Sequence, residues 1–174
     1  MSQTDEGAGS GAVPGPQAGA DADHRWLEYA IELSLRCPPS ATAFSVGAVL
    51  VAADGRVLST GFSRELDPVS HAEEGALAKL GLPDDARPAD YARLAGATMY
   101  SSLEPCAVRA SRPVPCADLI IGSGIGRVVL AWLEPPILAP GGGAARLRAA
   151  GVTVDVLSDL AAAARDVNAH LLSG

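Results

Sequence analysis

Two β-rich runs separated by Asp54-Gly55 constrain this chain more than any other feature. They are Val46-Gly-Ala-Val-Leu-Val-Ala-Ala and Arg56-Val-Leu-Ser-Thr-Gly-Phe62. Such a pattern predicts a hairpin, because Asp-Gly tolerates the positive φ of a type I′ turn. Ahead of it, the spacing of Trp26, Leu27, Ala30, Ile31, Leu33 and Leu35 predicts an amphipathic helix that stops before Pro38-Pro39. After it, residues 71–80 read as a helix ended by Gly81, and Ala97 to Ser101 as a short strand. Residues 115–124 read as a helix, Arg127 to Trp132 as a buried strand, Ala144 to Ala150 as a helix and Val152 to Val156 as extended. Asp159 to Leu172 closes the chain as a helix with Ser158 as its N-cap. The order is therefore α-β-β-α-β-α-β-α-β-α. A hairpin followed by βαβ units gives an α/β fold with a mixed five-stranded sheet and helices packed on its faces. The last two strands are expected to be parallel, because a helix connects them.

Composition bounds the rest. The 174 residues suit one domain. Residues 1–23 are Gly, Ala, Pro, Ser, Gln and acids, too poor in large apolar groups to offset their ordering entropy. They are expected to form a disordered tail ahead of a domain spanning 24–174. They have neither the basic start nor the apolar run of a secretory signal, and no later stretch is long enough for a membrane span. Three cysteines are too few for a disulfide scaffold and fit a reducing cytoplasm. A net charge of −7 lacks the basic stripe of a nucleic-acid binder.

Chemistry concentrates in His71-Ala-Glu73, Pro105-Cys106 and Pro115-Cys116. One imidazole and two thiolates make a three-ligand zinc site with the fourth tetrahedral position open, the pattern of a catalytic rather than a structural centre. His71 and Cys116 fall at predicted helix starts, where free N–H groups and the helix dipole favour thiolates. Glu73, in the first turn of the His71 helix, is close enough to take a proton from a water whose pKa zinc lowers to about 7. Two thiols alone would suit a disulfide or inert buried groups equally well, with His71 a mere helix cap. It is the combination in order that points to metal. Cys37 has no partner motif and reads as a packed or surface thiol, while His24 and His170 read as solvated.

H-x-E…P-C-x-x-C is the zinc deaminase signature, met here except that nine residues separate Cys106 from Cys116. From Trp26 to Leu171 the chain resembles the cytidine and deoxycytidylate deaminase superfamily, and within it the deaminase domain of the bifunctional riboflavin-biosynthesis deaminase–reductase. Val46-Gly47-Ala48, His71-Ala72-Glu73, Ser102-Leu-Glu-Pro-Cys106, Arg112-Pro-Val-Pro-Cys116 and Gly124-Ile-Gly-Arg-Val-Val carry the likeness. The wide cysteine spacing favours the riboflavin-type branch. The resemblance implies a three-layer α/β/α sandwich, Zn²⁺ on His71, Cys106 and Cys116, and Glu73 as the proton shuttle. The reaction it implies is hydrolytic loss of an exocyclic amine from an aminopyrimidine-type ring, with backbone carbonyls near Ser101 and Ser102 as acceptors for the amine. A homodimer or homotetramer is also implied.

Departures bear on the substrate. Where the riboflavin branch has P-N-P-x-V-G, this chain has Thr42-Ala43-Phe44-Ser45-Val46-Gly47, and Val108 stands where the branch has a histidine. Phe44 instead resembles the F-x-V-G-A of nucleoside deaminases and either packs on a base or belongs to the core. Arg109 and Arg112 either grip a phosphate or lie on a solvated loop. The expectation is a small aminopyrimidine substrate, ribosyl-phosphorylated or not. A cytosine or guanine nucleoside, nucleotide or base deaminase is the alternative, and a non-catalytic deaminase-like subunit the alternative of another class. The sequence ends near where the bifunctional enzyme continues into its reductase and carries no dinucleotide fingerprint, so a stand-alone deaminase domain is expected.

Overall fold

A computed structural model of the chain describes residues 19–81, 94–138 and 140–172. Helix α1 (Ala20–Ser34) precedes strands β1 (Gly47–Val51) and β2 (Val57–Phe62). Helix α2 (Ala72–Ala78), strand β3 (Thr98–Ser101), helix α3 (Cys116–Gly122), strand β4 (Arg127–Leu130), helix α4 (Gly143–Ala149) and strand β5 (Thr153–Val156) then alternate. A 3₁₀ turn (Ser158–Leu160), α5 (Ala161–Val167) and α6 (Ala169–Leu172) close the fold.

The sheet has the order β2-β1-β3-β4-β5. β1 is antiparallel to both β2 and β3, whereas β3, β4 and β5 are parallel to one another. This is the mixed five-stranded sheet expected from the sequence. β1 is buried along its whole length because helices cover both faces. α1 packs on β1 and β3 and meets α5, while α2, α3 and α4 pack in succession on the other side. Two glycines set the spacing there. A Cβ on Gly61 of β2 would stand 2.1 Å from the Ala72 carbonyl oxygen, and one on Gly143 would stand 1.6 Å from that of Pro105. The α2 and α4 backbones therefore approach the sheet and the Cys106 loop more closely than any side chain allows. Among the described residues no helix is long and apolar enough to cross a membrane.

Local geometry corrects several expectations. Residues 20–23, assigned by composition to the tail, are the first turn of α1. Asp23 accepts hydrogen bonds from Arg127 at 2.8 and 2.9 Å and from the Tyr100 hydroxyl at 2.7 Å, and these partners lie more than 70 residues away, beyond the reach of local composition. Residues 1–18 lie outside the described residues.

The hairpin turn is not of the primed type. Only Gly55 takes positive φ, at 82°, and Gly55 N–H bonds Ala52 O at 2.9 Å while Ala52 N–H bonds Arg56 O at 2.8 Å. That is a type I turn followed by a left-handed glycine in a bulge.

The closing helix is broken at Asn168. Its Oδ1 accepts from Ser45 N–H at 2.7 Å and its Nδ2 donates to Ser45 O at 3.0 Å, pinning the segment before β1. Ser158 opens the 3₁₀ turn and caps nothing with its side chain. His24 and His170 are solvent-accessible as expected, and each also makes a surface hydrogen bond, His24 Nε2 with Asp159 at 2.7 Å and His170 Nε2 with Ser40 O at 2.9 Å. Cys37 is the packed thiol expected, donating to Val46 O at 3.4 Å.

Candidate metal centre and active-site cavity

The carboxyl ends of parallel strands β3 and β4 are where an open α/β sheet collects functional loops. Ser101 ends β3, and Glu104 and Cys106 follow it; Trp132 and Glu134 follow β4. α2 and α3 start at the same place, with His71 the N-cap of α2 and Cys116 the first residue of α3. His71 Nδ1 lies 3.6 Å from Cys106 Sγ and 3.5 Å from Cys116 Sγ, and the three atoms are all within 4.8 Å of one another. Tetrahedral zinc with ordinary Zn–N and Zn–S lengths separates nitrogen from sulfur by about 3.5 Å. The donor set fits that ion in both chemistry and spacing. All three cysteines are free thiols, so the disulfide alternative is excluded.

Packed this closely, the three groups share protons among themselves. The hydrogen bond from the Cys116 thiol, outweighing burial, together with those from His71 and the Cys116 backbone N–H, lowers Cys106 to about 4. Cys116, left with the shared proton and deeply buried, is pushed well up. Burial resists protonation of His71, yet the neighbouring Cys106 and Glu73 outweigh it and raise the imidazole. The α3 start helps, with Cys116 N–H donating to Cys106 Sγ at 3.3 Å.

Glu73 is buried beside these ligands, and burial raises its carboxyl above the usual range. The Ser101 hydroxyl donates to Glu73 Oε1 at 2.9 Å. Ser101 and Ser102 are not on the cavity wall. The Ser101 carbonyl accepts from Ala131 N–H at 3.3 Å, and Ser102 Oγ accepts from Gly47 N–H at 3.1 Å. Strand pairing at the end of β3 engages the Ser101 carbonyl, one of the acceptors the resemblance reserved for the amine. Ser101 acts on Glu73 instead, and Ser102 fastens β1.

Arg109 and Arg112 are both engaged by carboxylates, Arg109 buried on the cavity wall and Arg112 partly exposed. Arg109, with a side chain only 3% exposed, donates to Glu74 Oε2 at 2.8 Å and to Val69 O at 2.6 Å. Arg112 donates to Glu74 Oε1 at 3.0 Å and pairs with Asp67. Glu74 Oε2 also accepts His71 N–H at 3.2 Å. Although burial opposes it, the guanidinium groups and this N–H hold the Glu74 carboxyl below the usual range.

The metal cluster opens into a cavity of 370 Å³ whose walls include Phe44, Arg64, His71, Glu73, Cys106, Arg109 and Glu134. The insert between the cysteines supplies one wall through Val108, Arg109, Ala110 and Ser111. Phe44 belongs to core and cavity alike, because it stands edge-on to Trp132 at 5.6 Å while lining the pocket.

Sequence reasoning missed two carboxylates. Glu104 bridges Glu134 N–H at 2.8 Å and Ala144 N–H at 2.7 Å, fixing the loop after β4 and the start of α4 to the cysteine loop. Glu134 has a buried Oε2 with no hydrogen-bond partner among the described residues. Burial, with Cys106, Glu104 and Glu73 nearby, raises its carboxyl to about 7. The signal for Glu104 was its place in Leu-Glu-Pro-Cys. Glu134 had only its position just past a buried strand.

Residues 20–132 match the cytidine and deoxycytidylate deaminase zinc-binding region. A diaminohydroxyphosphoribosylamino-pyrimidine deaminase of Schizosaccharomyces pombe is 43% identical over 129 residues, which are 74% of this chain and 30% of that protein. The riboflavin biosynthesis protein RibD of Aquifex aeolicus is 41% identical over 112 residues, 64% of this chain and 28% of that protein. The chain thus spans less than a third of the length of these relatives. Among solved structures, RibD of Acinetobacter baumannii superposes with a TM-score of 0.69 at 30% identity, over 87% of this chain and 39% of that one. The Aspergillus oryzae Rib2 deaminase in complex with DARIPP superposes with a TM-score of 0.67 at 25% identity, over 87% of this chain and 97% of that one. A cyanophage dCMP deaminase at 20% identity shares the fold. With a zinc-compatible His-Cys-Cys cluster, the cytidine-deaminase-like sheet and this match over most of its length, the chain belongs to the zinc-binding cytidine and deoxycytidylate deaminase family.

Proposed function

We propose that this chain is a zinc-dependent hydrolytic deaminase that removes an exocyclic amine from a ribosylaminopyrimidine of the kind its relatives are named for. The observation that carries the reading is the meeting of His71 Nδ1, Cys106 Sγ and Cys116 Sγ within 4.8 Å, beside a buried Glu73, at a cavity open to a small heterocycle. In this reading His71, Cys106 and Cys116 hold the metal, which supplies a Lewis acid able to make water nucleophilic near neutral pH.

Glu73 does the proton work. Held through Oε1 by Ser101 and kept basic by burial, it takes a proton from the attacking water and delivers it to the ring nitrogen beside the amine-bearing carbon. It then carries a second proton to the departing nitrogen, so that water and an amine leave as carbonyl and ammonia. Phe44 supplies an apolar face for the ring. The cavity is within the usual size range for small-molecule sites.

Assembly as a homodimer or homotetramer in the cytoplasm belongs to the same proposal. Exposed Val108, Val114, Leu133, Ile137 and Leu138 offer apolar surface that such contacts would cover, and light scattering of the purified protein reads it.

Ammonia release from a panel of aminopyrimidines tests the function, with Glu73→Gln as control and zinc content measured on both. Wild type should turn over a ribosylaminopyrimidine and the variant should not, at equal zinc. Equal turnover by the two proteins would remove Glu73 from the mechanism. Turnover of cytosine or guanine compounds alone would move the substrate assignment. Rescue of a deaminase-deficient riboflavin auxotroph checks the pathway.

A further inference from the structure

The cavity wall carries two guanidinium groups, those of Arg64 and Arg109. Glu74 compensates Arg109 at 2.8 Å. Arg64 is held differently. Its Nε donates to Pro38 O at 2.9 Å, Nη1 to Phe44 O at 3.0 Å and Nη2 to Ser45 Oγ at 3.0 Å. All three acceptors are neutral, and none of the ion pairs among the described residues includes Arg64. The group is therefore fixed in place without losing its charge, and only part of its donor fork is spent.

Its backbone points the same way. Arg64 has φ 63°, the only positive φ outside glycine among the described residues. Its N–H is tied to Ser70 O at 2.7 Å, one residue before His71. A side-chain-bearing residue in this region is uncommon, and such conformations cluster at ligand-binding sites. The hydroxyl residues Ser40 and Thr42 line the same cavity, as do the carboxylates Glu73, Glu104 and Glu134 beside the metal cluster. An anionic substituent is repelled by those carboxylates and attracted by the uncompensated guanidinium.

We propose that Arg64 is the specificity-determining contact for a phosphate-bearing tail of the substrate, whose heterocycle sits at the His71–Glu73 end of the cavity. The inference rests on the aminopyrimidine reading above and replaces Arg109 and Arg112 as the expected anion contacts.

Arg64 also staples residues 38–45, so the test must separate charge recognition from support of that loop. Zinc-loaded wild type, Arg64→Gln and Arg64→Lys are titrated calorimetrically with a diaminohydroxyribosylaminopyrimidine carrying a phosphate and with the same compound lacking it. Arg64→Gln should weaken the phosphorylated compound about 10- to 100-fold and the other by less than about threefold, the loss expected of one charge-assisted contact. Arg64→Lys should recover part of the loss, since a point charge remains.

Equal weakening of both compounds would assign Arg64 to the loop alone and overturn the proposal. Unchanged binding of both, or a wild type that does not distinguish them, would overturn it as well. Binding is read without turnover. A wild type that prefers the phosphorylated compound through Arg64 but releases no ammonia would sink the deaminase reading and leave this contact standing.

Discussion

Arg109 Nη1 lies 2.8 Å from Glu74 Oε2 and 4.0 Å from Cys116 Sγ. One buried guanidinium thus joins the helix that begins after His71 to the start of α3, where Cys116 sits. Glu74 completes the connection by accepting His71 N–H and Arg112 Nε. The metal ligands come from segments 35 residues apart in sequence, and this carboxylate is the point where their supports meet. Outer groups of this kind typically change metal affinity by about 10- to 100-fold when removed. Glu74→Gln and Arg109→Met should each lose zinc to a competing chelator faster than wild type by a comparable factor, with the far-UV circular dichroism unchanged. Zinc retention equal to wild type in both variants would reduce the network to surface decoration.

Ser101 contacts no part of the cavity, yet its hydroxyl fixes Glu73 Oε1 at 2.9 Å. Its removal should act on the chemical step rather than on binding. Ser101→Ala is expected to lower kcat roughly 10- to 100-fold, the worth of one hydrogen bond to a carboxylate, with KM nearly constant. A proportional rise in KM would mean that the hydroxyl shapes the pocket and does not orient the carboxylate.

Legibility from the sequence followed the range of the interactions involved. The sheet was readable because β1 and β2 flank Asp54-Gly55 and because strand and helix periodicities alternate after Gly81. The metal ligands were readable because His71 and Cys116 sit at helix starts that local signals mark. The roles of Arg109, Arg112, Ser101 and Ser102 were not, because each depends on a partner far along the chain: Glu74 for the two arginines, Glu73 for Ser101, Gly47 for Ser102. Residue type alone gave an arginine two options, phosphate or solvent, and the fold adds a carboxylate partner. Asn168 shows the same effect on secondary structure. Its propensity is compatible with a helix, but the paired bonds to Ser45 break the closing helix where the pattern runs on.

Gly143 should be intolerant of any side chain. A Cβ there would stand 1.6 Å from the Pro105 carbonyl oxygen, which is backbone and cannot swing aside. The neighbouring residue is Cys106, so relief of the clash moves a metal ligand. Gly143→Ala is expected to cost about 2 kcal/mol or more, in the range of overpacked sites, which lowers Tm by about 4 °C or more. Zinc content should fall along with it. Gly122, with nothing near its Cβ direction, is the control, and Gly122→Ala should leave the zinc content unchanged and Tm equal or slightly higher.

Asp23 gives the fold a defined acid sensitivity. The hydrogen bond from Arg127, aided by the Tyr100 hydroxyl and by charge, holds its carboxyl below the ordinary value despite partial burial. The tyrosine is correspondingly raised, by burial first and then by Asp23. For a carboxyl depressed in the folded state, the stabilisation is fully present above the unfolded pKa of about 3.9. It disappears as the pH falls through the lower folded value. Asp23→Asn should therefore be less stable than wild type by about 1–3 kcal/mol at pH 7. The gap should hold down to about pH 5 and close below about pH 4. Urea unfolding at pH 7, 5 and 3.5 measures it. A gap that stays constant across that range would mean the carboxylate's charge is irrelevant and that α1 is held by its apolar face alone.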